Sequence, residues 1–179
     1  MTPTRLRSEP DTDHATSFME AWIRPGLDVK SWVHCGVTMA WGLLQTGPEE
    51  LSVYWLQNYY QPDRISYLQR GTLRPDGFVS MNAPYAGGEF TTKPLRFQGK
   101  ELTINFSTSA VGSVRVEIQD VDGKPIDGYG LQQCPEIYGD RIEHVVAWKG
   151  GSDLSALAGK PVRLRFVMKD SDLYSVRFH

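Results

Sequence analysis

The sequence predicts an all-β protein, an antiparallel β-sandwich of the jelly-roll or concanavalin-like type preceded by a three-stranded meander. Apolar and polar residues alternate over 101–107 and 113–119, which is the period of strands with one buried face. Asp122-Gly123 then favours a sharp reversal of the chain. Because the alternation returns over 162–168 and 174–178, we expect two sheets that share one core.

The N-terminal part of the chain shows no apolar period. Residues 1–17 are rich in Thr, Pro, Ser and mixed charge, which predicts a disordered tail. Residues 18–33 follow as an irregular arm, because Pro25-Gly26 ends any helix after one turn. We expect three apolar side chains to hold this arm in place: Trp22, Leu27 and Trp32.

A meander and a turn come next. Strands are predicted over 39–45, 51–57 and 64–73, and together they resemble a single propeller blade. Arg74-Pro75-Asp76-Gly77 has the composition of a tight turn, so we place the domain boundary there. The predicted domains are the arm with the meander, 18–74, and the sandwich, 75–179.

The remaining strands are short and separated by Gly, Pro and Asp, which favours a sandwich over alternating helices and strands. They are predicted over 78–82, 88–95, 101–107, 113–119, 141–149, 162–169 and 173–178. One helical turn is expected near 153–158, with Asp153 as its cap.

Composition excludes some classes of partner. Lys and Arg number 19 against 21 Asp and Glu, a net charge of -2, so no basic surface for nucleic acid is expected. No apolar run is long enough to cross a membrane. The N-terminus lacks the apolar core of a signal peptide, which predicts a cytoplasmic chain, or a secreted or periplasmic one if a leader was removed. Cys35 and Cys134 are either two free buried thiols or one long-range disulfide.

Several tracts together carry a resemblance to a known family. They include Arg74-Pro75-Asp76-Gly77, Gly87-Gly88-Glu89-Phe90, Trp148-Lys149-Gly150-Gly151, Gly159-Lys160-Pro161-Val162, Ile23-Arg24-Pro25-Gly26-Leu27-Asp28 and the stretch 40–52. Over nearly the whole chain the sequence resembles the C-terminal portion of bacterial proteins similar to glycoside hydrolase family 32. The resemblance implies a last propeller blade followed by a β-sandwich, which in such enzymes is usually not catalytic.

The resemblance does not extend to catalysis. The Asn-Asp-Pro, Arg-Asp-Pro and Glu-Cys motifs that hold the carboxylates of such enzymes are absent from this sequence, so we expect no hydrolase activity from them. An acidic site of a different kind would need two carboxylates facing one sugar. The candidates for it are Glu136, Asp140 and Glu143.

Metal sites have few candidates. The four histidines, His14, His34, His144 and His179, are isolated, which argues against zinc or copper and predicts no cofactor. A structural calcium ion is compatible with a β-sandwich of this kind. The carboxylate and carbonyl ligands of calcium leave no compact sequence motif, so the absence of a motif does not argue against it. The candidate ligands are Asp120, Asp122, Asp140 and Asp153.

Aromatic residues suggest the function. Flat rings pack on the apolar faces of sugars while nearby polar side chains bind the hydroxyls. The candidate carbohydrate-binding residues are Tyr59, Tyr60, Tyr85, Tyr138 and Trp148, although Trp148, like Trp55, also suits the core of a strand. We therefore expect a non-catalytic carbohydrate-associated module that binds glycan or assists a glycosidase. The alternative is a structural domain that forms a homodimer, since a lone blade would expose an apolar face and an edge strand.

Overall fold

The computed structural model describes residues 22–32 and 37–179, which form two antiparallel sheets and two single turns of 3-10 helix. The predicted all-β class is therefore confirmed. The predicted tail, 1–17, and the residues His14, His34 and Cys35 lie outside the described residues. Contacts between Cα atoms divide the described chain into two units, 22–77 and 78–179. Within the described ranges, neither helical turn has the length and apolar character needed to cross a bilayer.

The first unit is built around one central strand. Its strands are β1, Val37–Met39; β2, Leu44–Gly47; β3, Glu50–Gln57; and β4, Tyr67–Leu73. β1 and β2 pair with successive parts of the same edge of β3, and β4 pairs along the other edge. All of these pairings are antiparallel, so the chain follows the course of a three-stranded meander.

The first strand of that meander is broken. A continuous strand was predicted over 39–45, but residues 40–43 belong to neither β1 nor β2, although the Ala40 N–H still donates to the Tyr54 carbonyl oxygen at 2.9 Å. Gly42 has a φ of +96°, a conformation that L side chains rarely adopt and that interrupts the extended backbone. Trp41 beside it is fully exposed. The prediction of one strand was wrong here because a single glycine in an apolar run does not reveal its φ.

The second unit consists of one bent sheet. Its strands are β5, Met81–Ala83; β6, Gly88–Thr91; β7, Leu102–Gln119; β8, Asp140–Val145; and β9, Arg163–Phe178. They are ordered β5-β9-β7-β8, and β6 pairs with the N-terminal half of β9. β7 and β9 run side by side through the entire sheet, so they form its frame.

Each of these long strands was predicted as two short ones, and this was wrong. Residues 109–112 of β7 lie opposite the single residue Asp170 of β9, so the chain bulges instead of turning. Asp170 has a positive φ of 42° at this point. A β-carbon on Gly112 would collide with the carbonyl oxygens of Asp170 and Lys169, so glycine is required where the two backbones approach.

The alternation of apolar residues correctly predicted the core. The inward side chains of both halves of β7 are completely buried: Leu102, Ile104, Phe106, Val114, Val116 and Ile118. They form one cluster with Leu164, Phe166 and Met168 of β9, so both halves of the bent sheet share a single core, as the two sheets of the predicted sandwich would. Near the C-terminus a second bulge displaces the pattern, and Leu173 is buried whereas Val176 is 40% exposed.

The polar face of β7 also holds a buried charge. Glu117 accepts hydrogen bonds from the Gln119 amide at 2.8 Å, the Leu131 backbone N–H at 3.1 Å and the Arg165 guanidinium at 3.3 Å. Arg165 also binds Glu89 of β6 at 2.7 Å. Burial by itself raises the pKa of Glu117, but the three hydrogen bonds outweigh it and hold the pKa below its usual value. The carboxylate therefore joins β7, β9 and the segment after β7, and Arg165 extends the cluster to Glu89 of β6.

A candidate ligand cleft

A cleft of about 330 Å³ lies within the first unit, between the arm and the sheet. The arm contributes residues 23–28 and Ser31, and β3 and β4 contribute Trp55, Gln57, Tyr67 and Gln69. Sites for small ligands commonly measure about 300–1,000 Å³ and combine aromatic surface with a few polar groups. The volume of this cleft therefore suits a ligand of one or two rings.

Aromatic rings and side-chain amides alternate on the floor of the cleft. Trp55 is paired with Gln69 across β3 and β4, and Gln57 is paired with Tyr67. Directly paired residues of an antiparallel sheet point to the same face, as do residues two apart in one strand. The four side chains therefore share one face, with the rings on one diagonal and the amides on the other.

Gly71 explains how the large indole of Trp55 fits on this face. A β-carbon on Gly71 would lie 2.7 Å from Cζ3 of Trp55, so any other residue would push the ring away. The indole is only 9% exposed, and its Nε1 donates to Oε1 of Gln57 at 3.3 Å. Trp55 thus forms a fixed base, and the 50% exposed Tyr67 ring is the more accessible wall.

The amides have capacity for a ligand. Gln57 accepts the indole N–H through Oε1, and its Nε2 donates to no other residue of the described part of the chain. The side chain of Gln69 makes no hydrogen bond within residues 22–32 and 37–179. An amide carries both a donor and an acceptor, so each can bind a hydroxyl in either role.

Ion pairs hold the arm over the sheet. Asp28 binds Nη2 of Arg64 at 2.6 Å, and Lys30 binds Asp63 at 3.0 Å, so two links run from the arm to the loop between β3 and β4. The Arg64 guanidinium is the main cause that lowers the pKa of Asp28, and the Lys30 ammonium does the same for Asp63. Both acids are therefore ionised at neutral pH, which the two links require.

Two of the three predicted apolar anchors, Leu27 and Trp32, do not hold the arm, whereas Trp22 is partly buried. Leu27 is fully exposed and Trp32 is largely exposed, so their burial supplies little of the attachment. Instead, Nε1 of Trp32 donates to the carbonyl oxygen of Gly26 at 2.9 Å, and Asp28 caps the 3-10 turn Val29–Ser31. At Leu27 and Trp32, polar contacts of the arm thus replace the predicted apolar ones.

The loop between β3 and β4 is also tied to the cleft. Asn58, which lines the cleft and is buried, accepts from Nη1 of Arg64 at 3.5 Å and donates to the carbonyl oxygen of Ile65 at 3.3 Å. Ser66 donates to the Asn58 carbonyl oxygen at 3.1 Å. Asn58 has a positive φ of 62°, a conformation that asparagine tolerates better than most residues.

The predicted carbohydrate-binding residues are dispersed. Tyr59 and Tyr60 are exposed in the loop that borders the cleft, whereas Tyr85 and Tyr138 are exposed in the second unit. The Tyr85 ring is covered by the Lys169 ammonium, 4.5 Å from its centroid. Trp148 is only 4% exposed and donates to the Val116 carbonyl oxygen, so it belongs to the core and offers no face to a sugar.

The candidate catalytic carboxylates lie on or near β8. Asp140 begins this strand, and Glu143 forms an ion pair with Arg177 at 3.5 Å. Glu136 is exposed in the preceding loop. Within the described ranges, no three His, Cys, Asp or Glu residues form a group that could hold a metal.

Local turns account for two of the calcium candidates. Asp120 accepts the backbone N–H groups of Asp122 and Lys124 at 3.0 and 2.9 Å, which closes the turn after β7. Asp153 accepts the N–H and hydroxyl of Ser155, and these bonds lower its pKa. The predicted helical turn is shorter than expected, Ser155–Leu157, and its N-cap is Leu154 instead of Asp153.

Two further reactive side chains lie in the second unit. Cys134 is a free thiol whose sulfur accepts the Val116 N–H at 3.3 Å, and burial raises its pKa. A buried thiol of this kind is a poor nucleophile. Burial, and to a lesser extent the Arg141 charge, lowers the pKa of His144, which packs edge-on against Phe106.

The cleft was not predicted from the sequence. Trp55-Leu56-Gln57 and Tyr67-Leu68-Gln69 are two aromatic-x-amide triplets on adjacent strands, and this was the available signal. To predict the cleft from these triplets, one must know the register of β3 and β4, which the sequence does not reveal. Comparison of the chain with protein families, with curated proteins and with solved structures gave no match in any of the three.

Proposed function

We propose that the protein is a non-catalytic carbohydrate-binding module and that the cleft of the first unit is its binding site. The observation that carries this proposal is the diagonal arrangement of two rings and two amides on one face of β3 and β4. A sugar ring has apolar C–H faces and a polar rim of hydroxyls. Tyr67 can stack on such a face while Gln57 and Gln69 bind adjacent hydroxyls.

The charges around the cleft favour a neutral ligand. Asp28 and Arg64 both line it, but they neutralise each other at 2.6 Å and hold the arm in place. Arg24 also lines the cleft but has an interaction of its own, so the amides are the main polar groups for a ligand, and they match neutral hydroxyls. The resemblance to the C-terminal portion of glycoside hydrolase family 32 proteins also supports a role with carbohydrate, as a binding or accessory module.

Binding by this cleft is tested with neutral polysaccharides, fructans included, in affinity electrophoresis and on a glycan array. We expect retardation by at least one of them. Gln69→Ala should weaken binding about 2–10-fold, as loss of one neutral hydrogen bond does. Tyr67→Ala removes the stacking wall and should weaken it about tenfold.

Tyr138→Ala is the matched control, because this exposed tyrosine lies in the second unit. It should bind like the parent protein. The proposal is wrong if no polysaccharide retards the parent. The assignment to the cleft is wrong if the Tyr67 and Gln69 variants bind as tightly as the Tyr138 variant.

The second candidate function is self-association, favoured by the opposite face of the same sheet. Leu68 is paired with Leu56 on that face, and Leu44 lies on it across β3. Leu44 and Leu68 are both exposed, and burial between two copies would stabilise a dimer.

Light scattering should show a dimer that Leu68→Glu converts to a monomer. Val111→Glu, at an exposed site in the second unit, should leave the dimer intact. A monomeric parent at every concentration would contradict this candidate.

A further inference from the structure

An exposed pair of tyrosines lies beside the cleft. Tyr59 and Tyr60 are in edge-to-face contact, with ring centroids 5.3 Å apart, and Tyr60 is 83% exposed. They directly follow Asn58, which lines the cleft. Consecutive Cα atoms are about 3.8 Å apart, so the Cα atom of Tyr60 lies within about 7.6 Å of that of Asn58. One more sugar unit of a bound chain would cover such a distance.

The backbone at Tyr60 is the second observation. Residues 58–61 form a turn closed by the hydrogen bond from Gln61 N–H to the Asn58 carbonyl oxygen, 3.3 Å long. Tyr60 is its third residue and has a φ of 63°, a conformation that glycine usually supplies at this position. A large aromatic residue therefore occupies a position where glycine would cause less strain. Strain of this kind is often retained where the side chain has a task.

The fold does not supply that task. The ring of Tyr60 is almost entirely in solvent, so it contributes little to the core. The exposed tyrosines of the second unit differ, since Tyr85 is covered by Lys169 and no ring contact of Tyr138 is found within the described residues. Tyr59 and Tyr60 together offer ring surface next to a polar cleft.

We infer that Tyr59 and Tyr60 form an outer subsite, so that the ligand of the cleft is an oligosaccharide of two or more neutral sugar units. This inference rests on the proposed function. One unit occupies the cleft against Tyr67, Gln57 and Gln69. The next unit leaves the cleft past Asn58 and packs against the Tyr60 ring. Affinity should therefore rise from one unit to two.

The test is calorimetric titration with malto-, cello-, xylo- and fructo-oligosaccharides of one to four units. We expect the parent to bind the two-unit member of at least one series about tenfold more tightly than its monosaccharide. Tyr60→Gly should remove most of this gain and leave monosaccharide affinity unchanged. Because glycine accepts a positive φ, the melting temperature of the Tyr60→Gly variant should stay close to that of the parent. Tyr60→Phe, which keeps the ring, should retain the gain.

The outcomes separate the two proposals. An affinity that is equal for one and two units, or a Tyr60→Gly variant that keeps the full gain, overturns the outer subsite and leaves the cleft as a binding site. Failure of every series to bind overturns both. Tyr138→Ala is again the control, and it should reproduce the affinities of the parent for every length.

Discussion

Replacing Phe106 by alanine is expected to lower the free energy of unfolding of the 78–179 unit by about 3–5 kcal/mol. The side chain is completely buried in β7 and packs against His144 at 5.6 Å between ring centroids. Its removal leaves a cavity that rigid neighbouring strands cannot fill. Because small domains have about 5–15 kcal/mol of stability in total, much of the margin would be lost. Urea unfolding followed by circular dichroism and by amide exchange of β7 measures the change.

Tyr138→Ala supplies the aromatic control for that experiment, since Tyr138 is exposed in the same unit. It should change the free energy of unfolding by less than about 0.5 kcal/mol, as surface substitutions usually do. Equal losses for Phe106→Ala and Tyr138→Ala would mean that Phe106 does not belong to the core.

Replacing Glu117 by alanine is expected to destabilise the same unit by about 2–4 kcal/mol. The change leaves the Leu131 N–H and the Gln119 amide without their acceptor, and each buried donor without a partner costs about 1–3 kcal/mol. It also removes one of the two carboxylates bound by Arg165. Urea unfolding at neutral pH measures the loss, and amide exchange of residues 126–134 should increase.

Glu89→Ala is the matched control, because Glu89 binds the same guanidinium from an exposed position. Exposed ion pairs contribute about 0–1 kcal/mol, so this variant should remain close to the parent. If Glu89→Ala cost as much as Glu117→Ala, the guanidinium and not the buried carboxylate would organise the cluster.

The fold was predictable where one physical signal dominates. The period of two in β7 placed Leu102, Ile104, Val114 and Ile118 in the core, because burial of one face requires that pattern. The pattern could not distinguish a turn from a bulge at 109–112, since both are rich in small residues. That choice depends on β9, whose residue Asp170 adopts a positive φ opposite the bulge.

The candidate site was less predictable, for a related reason. Tyr59 and Tyr60 were identified from the sequence as candidate carbohydrate-binding residues, and both are exposed. Trp148 follows the apolar run Val145-Val146-Ala147 and is buried, with its indole N–H donating to the Val116 carbonyl oxygen. The alignment of Gln57 with Tyr67 exists only once β3 and β4 are in register.

The continuity of β7 and β9 has a consequence for folding kinetics. Leu102 is paired with Phe178 and Gln119 with Arg163, so the same two strands run through both halves of the sheet and pair along each of them. The chain must close loops of very different lengths before this ladder is complete, and such non-local pairing slows folding. Both halves also share one buried cluster of apolar side chains. We therefore expect the 78–179 unit to unfold in one cooperative transition.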